Sequence, residues 1–350
     1  MKLHIGPHVI SANSPVYIIA EMSGNHHGSL EKAMQIVHAA KESGANAIKL
    51  QTYRADTITL NSEKPDFLIP ENDPWHYKHN LFALYEEAFT PWEWHAPLFQ
   101  EARAIGLDIF SSPFDISAVD FLETLDCPAY KIASPEITDI PLLRRVARTK
   151  KPVIMSTGLA EIHDIELALS TLSDEGCTQI GLLKCTASYP APPETMNLHT
   201  ITDMASRFGC VVGLSDHTLG IGVPVAAVAL GAKIIEKHFV LSADDDTVDS
   251  FFSLDPVAFS QMVLEVRKVE KALGTVSYDV PGSFPQKFKA RRSLYVAKSI
   301  ESGEVFTPDH IKSVRPSWGL HPKFYDDVSG KRAAVTLEMG DRLSMDCIDG

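Results

Sequence analysis

Along most of the chain short apolar, β-branched runs recur, and after each the apolar residues return every three or four places. Short runs bounded by turn residues read as buried strands, and the longer period behind them reads as a helix with one apolar face. Strands are predicted at 16–21, 47–51, 108–112, 129–134, 152–156, 180–186, 211–215 and 233–238. Helical spacing follows, for example at 30–41, 117–125, 142–148, 164–172 and 256–273. Eight strand–helix units predict an α/β protein of the closed (β/α)8 TIM barrel type, usually about 250 residues long, with an open doubly wound sheet as the alternative.

Two stretches break the rhythm. Residues 52–91, after the second strand, carry Trp75, His76, Tyr77 and His79, and so long an insertion in a compact domain reads as a lid or binding loop. Beyond it Pro91 with Trp92 and Trp94 reads as a helix start packed on the barrel. Past Gly274 the texture turns to proline, glycine and basic residues, so the expected division is a barrel at 1–280, a linker at 281–292 and a small domain at 293–350. About 60 residues build only a modest core, so this last domain is expected to gain stability by docking elsewhere.

Composition narrows the function classes. A formal net charge of −13 and no basic stripe argue against nucleic acid as a partner. Five scattered cysteines without a C-x-x-C pair predict reduced thiols, no signal pattern opens the chain, and no apolar run is long enough for a bilayer. The expectation is a soluble cytoplasmic protein with no membrane partner.

In such barrels the chemistry sits where strands end at their C-terminal rim, and here those ends are polar. Glu21 closes the first strand, Lys49 and Gln51 the second, Ser111 and Ser112 the third, and Lys131, Ser134 and Glu136 the fourth. Ser156, then Lys184 with Thr186 and Tyr189, then Ser215, Asp216 and His217, and last Glu236, Lys237 and His238 complete the ring. Lysines in strand interiors are costly to bury without a partner. Two readings follow: Lys49 and Lys131 pair with Glu21 or Glu236, or they join Ser112, Ser134, Ser156 and Ser215 in holding a phosphate. His217 and His238, on adjacent strands, could share a divalent metal through neutral ring nitrogens, with Glu21 or Asp249 nearby. Open positions would suit Mn²⁺, Fe²⁺, Co²⁺ or Mg²⁺ better than structural zinc. His26 and His27 lie in the first strand–helix loop, where they face either substrate or solvent.

The segments IIAEMSGNHHGSLEKA, IKLQT, FSSPFD, YKIASPE, IMSTG, LLKCTASYPAP, VGLSDHTLG and IIEKHF resemble, in order, the sequence blocks of the sialic acid synthase family. RRSLYVAKSIESGEVFTPDHIKSVRP is similar to its C-terminal antifreeze-like (SAF) domain. YEEAFTPWEWH, VDSFFSLDP and RPSWGLHPKFYDDVSGK resemble the pseudaminic acid synthase branch, with legionaminic and N-acetylneuraminic acid synthases as neighbouring branches. The resemblance implies condensation of phosphoenolpyruvate with an N-acylated amino sugar, here a 2,4-diacetamido-2,4,6-trideoxy hexose, in a domain-swapped homodimer that uses a divalent metal, Mn²⁺ before Mg²⁺ or Co²⁺.

By the same resemblance His217 and His238 are metal ligands, and Glu21 and Lys131 are catalytic. Lys49, Ser112, Lys131, Ser134, Ser156, Lys184 and Ser215 bind phosphoenolpyruvate, while Gln51, Glu136, Tyr189, Asp249 and Arg315 lie on the sugar side. Arg315 would reach the neighbouring subunit's sugar. Ala187 departs from the pattern, because an asparagine contacting the phosphate is frequent there, and Lys184 is the candidate replacement. Outside the family, a barrel aldolase using Lys131 or Lys184 as a Schiff base and a sugar-binding protein without catalysis are the remaining readings.

Overall fold

The structure is a computed structural model that describes residues 2–279 and 287–350. The chain divides into two compact units, Met1–Gly274 and Thr275–Gly350. Positions 281–286 of the expected linker lie outside the described residues.

The first unit opens with a hairpin of β1 (Leu3–Ile5) and β2 (His8–Ile10), which the hydrophobic pattern did not reveal. Eight parallel strands then close into a barrel: β3 (Tyr17–Glu21), β4 (Ala47–Thr52), β5 (Asp108–Pro113), β6 (Tyr130–Ile132), β7 (Val153–Ser156), β8 (Ile180–Cys185), β9 (Val211–Asp216) and β10 (Ile234–His238). Closure comes from β10 pairing with β3, His238 level with Glu21. Each predicted strand is found, with ends within two residues of those expected.

Helices pack around the strands on the faces their period marked. Pro256–Leu273 buries Phe259, Met262, Val263 and Val266, one stripe at helical spacing, each worth about 1.5–3 kcal/mol of transfer free energy. The Asp255 side chain caps its first turn by accepting from Ala258 N–H. At the foot of the barrel Leu3 of the hairpin reaches into the space left at Gly181, where a Cβ would stand 2.8 Å from Leu3 Cδ1. Gly213 is equally obligatory, since its Cβ would lie 2.3 Å from Ile234 O. With the foot plugged and the wall packed, the C-terminal rim is left as the open end.

The second unit pairs β11 (Ser293–Val296) with β12 (Ile311–Val314) and β13 (Arg332–Ala333) with β14 (Ile348–Asp349), both antiparallel. It has a core of its own, comprising Leu294, Val296, Ile300, Phe306, Ile311, Val328, Ala333, Leu337 and Leu343. Among the described residues no helix is long and apolar enough to cross a membrane, and all five cysteines are free.

Candidate active site

Strand register decides which side chains meet. Parallel pairing sets Glu21 level with Lys49, Gln51 with Ser112, Ser215 with Glu236 and His238 with Glu21. Because strand side chains alternate, these residues and Lys131, Ser156 and His217 face the barrel interior at one end. All of them except half-buried Gln51 are buried.

Four of them form an ionic floor. Lys49 Nζ lies 2.8 Å from Glu21 Oε2 and 3.3 Å from Glu236 Oε1, and Lys131 Nζ lies 3.4 Å from the same Glu236 oxygen. Ser215 Oγ donates to Glu236 at 3.0 Å, and Lys49 donates to Ser112 Oγ at 3.2 Å. Gln51 Nε2 and the Ser23 amide both donate to Glu21 Oε1 at 3.1 Å. Environment pushes the two carboxylates apart. Burial raises Glu21 by more than Lys49 beside it lowers it. Burial alone would raise Glu236 too, but Lys131 and Lys49 hold it at about 2. A carboxyl free to carry a proton thus stands beside one that stays ionised, the pairing that acid–base chemistry uses.

Ion pairing with Glu21 and Glu236 accounts for both lysines, so their burial alone does not demand a ligand. What it leaves unexplained is a set of buried polar atoms without hydrogen-bond partners: Glu21 Oε2, which faces only the Lys49 ammonium, Ser156 Oγ, Glu136 Oε2, Glu236 Oε2 and His238 Nδ1. Native proteins rarely leave such atoms unsatisfied. Among the described residues these are the ones that do so, and all lie in this mouth. Ser134 Oγ, on the same rim, accepts from the Gly158 amide at 2.9 Å.

His217 and His238 sit side by side, ring centroids 5.3 Å apart. His217 Nδ1 is 3.0 Å from Thr186 O, which can only accept, so Nδ1 carries a proton and Nε2 is left to face the mouth. Burial and the neighbouring His217 hold His238 well below its usual range, hence neutral. For His217 burial also lowers, but the Cys185 thiol outweighs it and the net direction is up. Asp249 Oδ2 is 3.7 Å from His238 Nδ1. Among the described residues no group of three His, Cys, Asp or Glu side chains is arranged to hold a metal ion. The donor set is therefore two imidazoles with a carboxylate just outside bonding distance, and its orphaned His238 nitrogen fits a cation whose other positions are filled by substrate or water.

Above the floor lies a cavity of about 330 Å³, and its far side is the 52–91 insertion. Ile69, Pro70, Leu81, Leu84 and Ala88 give it an apolar wall, with Tyr53, Tyr85 and Phe114 beside them. Trp75 holds this wall to the barrel: its Nε1–H donates to Val248 O at 2.8 Å, and its ring meets Tyr189 at 5.4 Å and Phe251 at 6.1 Å. Tyr189 in turn lies 4.5 Å from the His217 ring. Burial raises Glu136 to about 7 and Asp249 to about 6.

Not every predicted site residue joins this mouth. Lys184 alternates with Cys185 and points outside the barrel wall, where its ammonium donates to Cys185 O at 2.5 Å and lines a separate cavity with Thr157, His199 and Asp203. It is not placed to replace the contact absent at Ala187. Arg315 is exposed on the second unit. His26 faces neither substrate nor solvent: it is buried, 3.1 Å from Thr90 Oγ1 and edge-on to Trp94. Trp92 opens the helix Trp92–Ala104 and stacks on Phe121 at 4.7 Å.

The structure adds Ser23, Tyr53 and Tyr85, and it bears out Glu236, read at its strand end as a partner for Lys49 and Lys131. Glu236 shares a strand face with His238, so the period of two turns both toward the mouth. Ser23, held at φ 47° in the left-handed region, donates to Asp249, and nothing in its local pattern marks it.

Comparison with known proteins agrees with this geometry. The chain is 46% identical over 333 residues to a pseudaminic acid synthase of Campylobacter jejuni, covering 95% of this chain and 96% of that one. It is 44% identical to a pseudaminic acid synthase of Helicobacter pylori, covering 96% and 98%. An N,N'-diacetyllegionaminic acid synthase of Legionella pneumophila is 33% identical, covering 95% and 94%. Among solved structures, a spore coat polysaccharide biosynthesis protein of Bacillus subtilis superposes with a TM-score of 0.68 at 34% identity, covering 100% of this chain and 99% of that one. Residues 291–349 match the SAF domain, residues 36–278 match the NeuB family, and the chain belongs to that family.

Proposed function

We propose that this protein is a pseudaminic acid synthase, which condenses phosphoenolpyruvate with 2,4-diacetamido-2,4,6-trideoxy-altropyranose in its open-chain form. A bond forms between carbon-3 of phosphoenolpyruvate and the aldehyde carbon of the sugar. Water adds at carbon-2, and phosphate leaves with the bridging oxygen as that carbon–oxygen bond breaks. The products are the nine-carbon keto acid and inorganic phosphate.

Lys49 and Lys131, with Ser112, Ser134, Ser156 and Ser215, hold the phosphate and carboxylate of phosphoenolpyruvate by charge-assisted bonds. Lys184, turned outward, has no part in this. Glu21, kept protonatable by burial, moves the proton of the attacking water, and Glu236 stays ionised to stabilise positive charge that develops at carbon-2. His217 and His238 would hold a divalent ion, Mn²⁺ before Mg²⁺ or Co²⁺, whose chemistry is polarisation of the acceptor's aldehyde. Gln51, Glu136, Tyr189 and Asp249 orient the sugar. Arg315, exposed on the second unit, is proposed to serve the acceptor of a second copy in a domain-swapped homodimer, and the enzyme is proposed to act in the cytoplasm.

The observation that carries the reading is the cluster of unpartnered buried polar atoms over two lysines, facing a cavity with an apolar far wall. A polar floor suits a small trianion. The wall suits an acceptor rich in methyl groups, which a 6-deoxy sugar with two acetamido groups is. Legionaminic acid synthesis is the second reading, and the lower identity to that relative weighs against it.

Mass spectrometry of products, after incubation with phosphoenolpyruvate, Mn²⁺ and a panel of acylated amino sugars, tests the proposal. The expected result is the keto acid from the altro-configured diacetamido sugar, with ¹⁸O from the bridging position of phosphoenolpyruvate recovered in phosphate. Retention of that label in the organic product, or borohydride trapping of the sugar or pyruvyl group on Lys131, would overturn it.

A further inference from the structure

Behind the two histidines, on the outer face of the barrel wall, lies a second ion pair that the chemistry above does not use. Lys237 Nζ stands 2.6 Å from Asp216 Oδ2, and both side chains are completely buried. Lys237 also donates to Thr218 O. Asp216 accepts from the Thr218 amide and hydroxyl, each at 3.1 Å. The two bonds of Lys237 thus tie β10 to the residues on both sides of His217, and the other two tie those residues to each other. Lys237 itself precedes His238. A buried pair is weak evidence for stability, because desolvating two charges offsets their attraction. Its position, one residue from each imidazole on two adjacent strands, gives it a different use.

We propose that Asp216 and Lys237 are positioning residues that fix the separation and orientation of His217 and His238. The proposal rests on the reading that this histidine pair holds a divalent cation, because only a shared ligand demands so fixed a spacing. Strand hydrogen bonds set the backbone register, but His217 is the first residue past the end of β9. Without the knot around Asp216 and Thr218 its ring would be carried by loop backbone. Partners one shell out from a metal typically alter affinity 10–100-fold when removed.

The test compares Lys237→Met with the double variant Asp216→Asn/Lys237→Met in the full-length protein. The single variant leaves an uncompensated buried carboxylate and should lower Tm markedly, while the double variant should return most of it. A purely structural pair would then recover everything. Positioning predicts that the double variant, though folded, binds Mn²⁺ 10–100-fold more weakly by calorimetry and loses kcat while the KM for phosphoenolpyruvate holds. In metal-free protein labelled with ¹⁵N-histidine, the protected His217 Nδ1–H resonance should be present in the wild type and lost in the double variant. Wild-type Mn²⁺ affinity and an unchanged His217 resonance in the folded double variant would overturn the clamp. Absence of Mn²⁺ binding by the wild type would instead overturn the cation reading, and the resonance alone would then decide the clamp.

Discussion

The floor and the far wall of the mouth are made in different ways. The floor comes from the ends of β3, β4, β6, β9 and β10, where hydrogen-bonded register leaves each side chain one place to be. The wall comes from an insertion held by a few contacts, chief among them Trp75 against Val248, Tyr189 and Phe251. One is charged and fixed by strand register, the other is held through an aromatic ring. Chemistry that must be repeated without variation belongs on the first, and choice of acceptor belongs on the second.

If the floor carries the reaction, Glu21→Gln should give the largest loss. A positioned proton-transfer group contributes about 10²–10⁴-fold. The expected result is a fall of that order in kcat, with both KM values near those of the wild type. A variant that keeps kcat would remove Glu21 from the chemistry and leave the floor a binding site only.

Glu136 sharpens the comparison because it stands at the border. Although the residue is half-buried, its Oε2 is sequestered and burial raises its carboxyl from 4.5 to about 7. The unfolded chain ionises from about pH 4.5, the folded one only near 7, so Glu136 costs stability progressively across that window and fully above it. At 1.36 kcal/mol per unit the cost approaches about 3 kcal/mol at pH 8. Glu136→Gln should therefore raise Tm at pH 8 and raise it less at pH 5.5. Equal gains at both values would show that Glu136 does not titrate in this window.

The same division explains what could be read before the fold was seen. Strand ends follow from a period of two and from turn residues, so Glu21, Lys49, Lys131, Ser215 and His238 were legible as a converging set. The resemblance gave them roles that spacing alone left open. Lys184 shows the limit: one residue of phase along β8 separates the mouth from the outer wall, and sequence carries no mark of which side a lysine takes when the neighbouring Cys185 is small enough to face inward. The wall was legible only as an insertion of unusual length. Which of Trp75, His76 and Tyr77 turns inward depends on contacts made more than a hundred residues away, at Val248 and Tyr189.

Lys131→Met removes one of the two floor cations and leaves Lys49 to hold Glu236. A charge-assisted contact is worth about 1.5–3 kcal/mol, roughly 10- to 150-fold. The KM for phosphoenolpyruvate should rise by that order in steady-state assays, and the KM for the sugar should move little. A rise confined to the sugar would exchange the proposed occupants of floor and wall.

The smallest effect asked for is the most specific to the wall. Trp75→Phe keeps an aromatic ring against Tyr189 and Phe251 but deletes the Nε1–H that donates to Val248 O. One neutral hydrogen bond is worth about 0.5–1.5 kcal/mol, or roughly 2- to 12-fold. Val248 is only half-buried, so the lower half of the range is expected. Loosening the latch should raise the KM for the acceptor by that factor, since the cavity's far side is then less often in place. It should leave the KM for phosphoenolpyruvate unchanged, because the ring and side-chain hydrogen-bond partners of Trp75 are Val248, Tyr189 and Phe251, none of them in the floor. It should also narrow the preference for the 6-deoxy acceptor over a 6-hydroxy analogue, as a wall less firmly held lets water reach the hydroxyl. A rise in the phosphoenolpyruvate KM with acceptor preference intact would show that the insertion and the floor act as one body, and the division between them would fail.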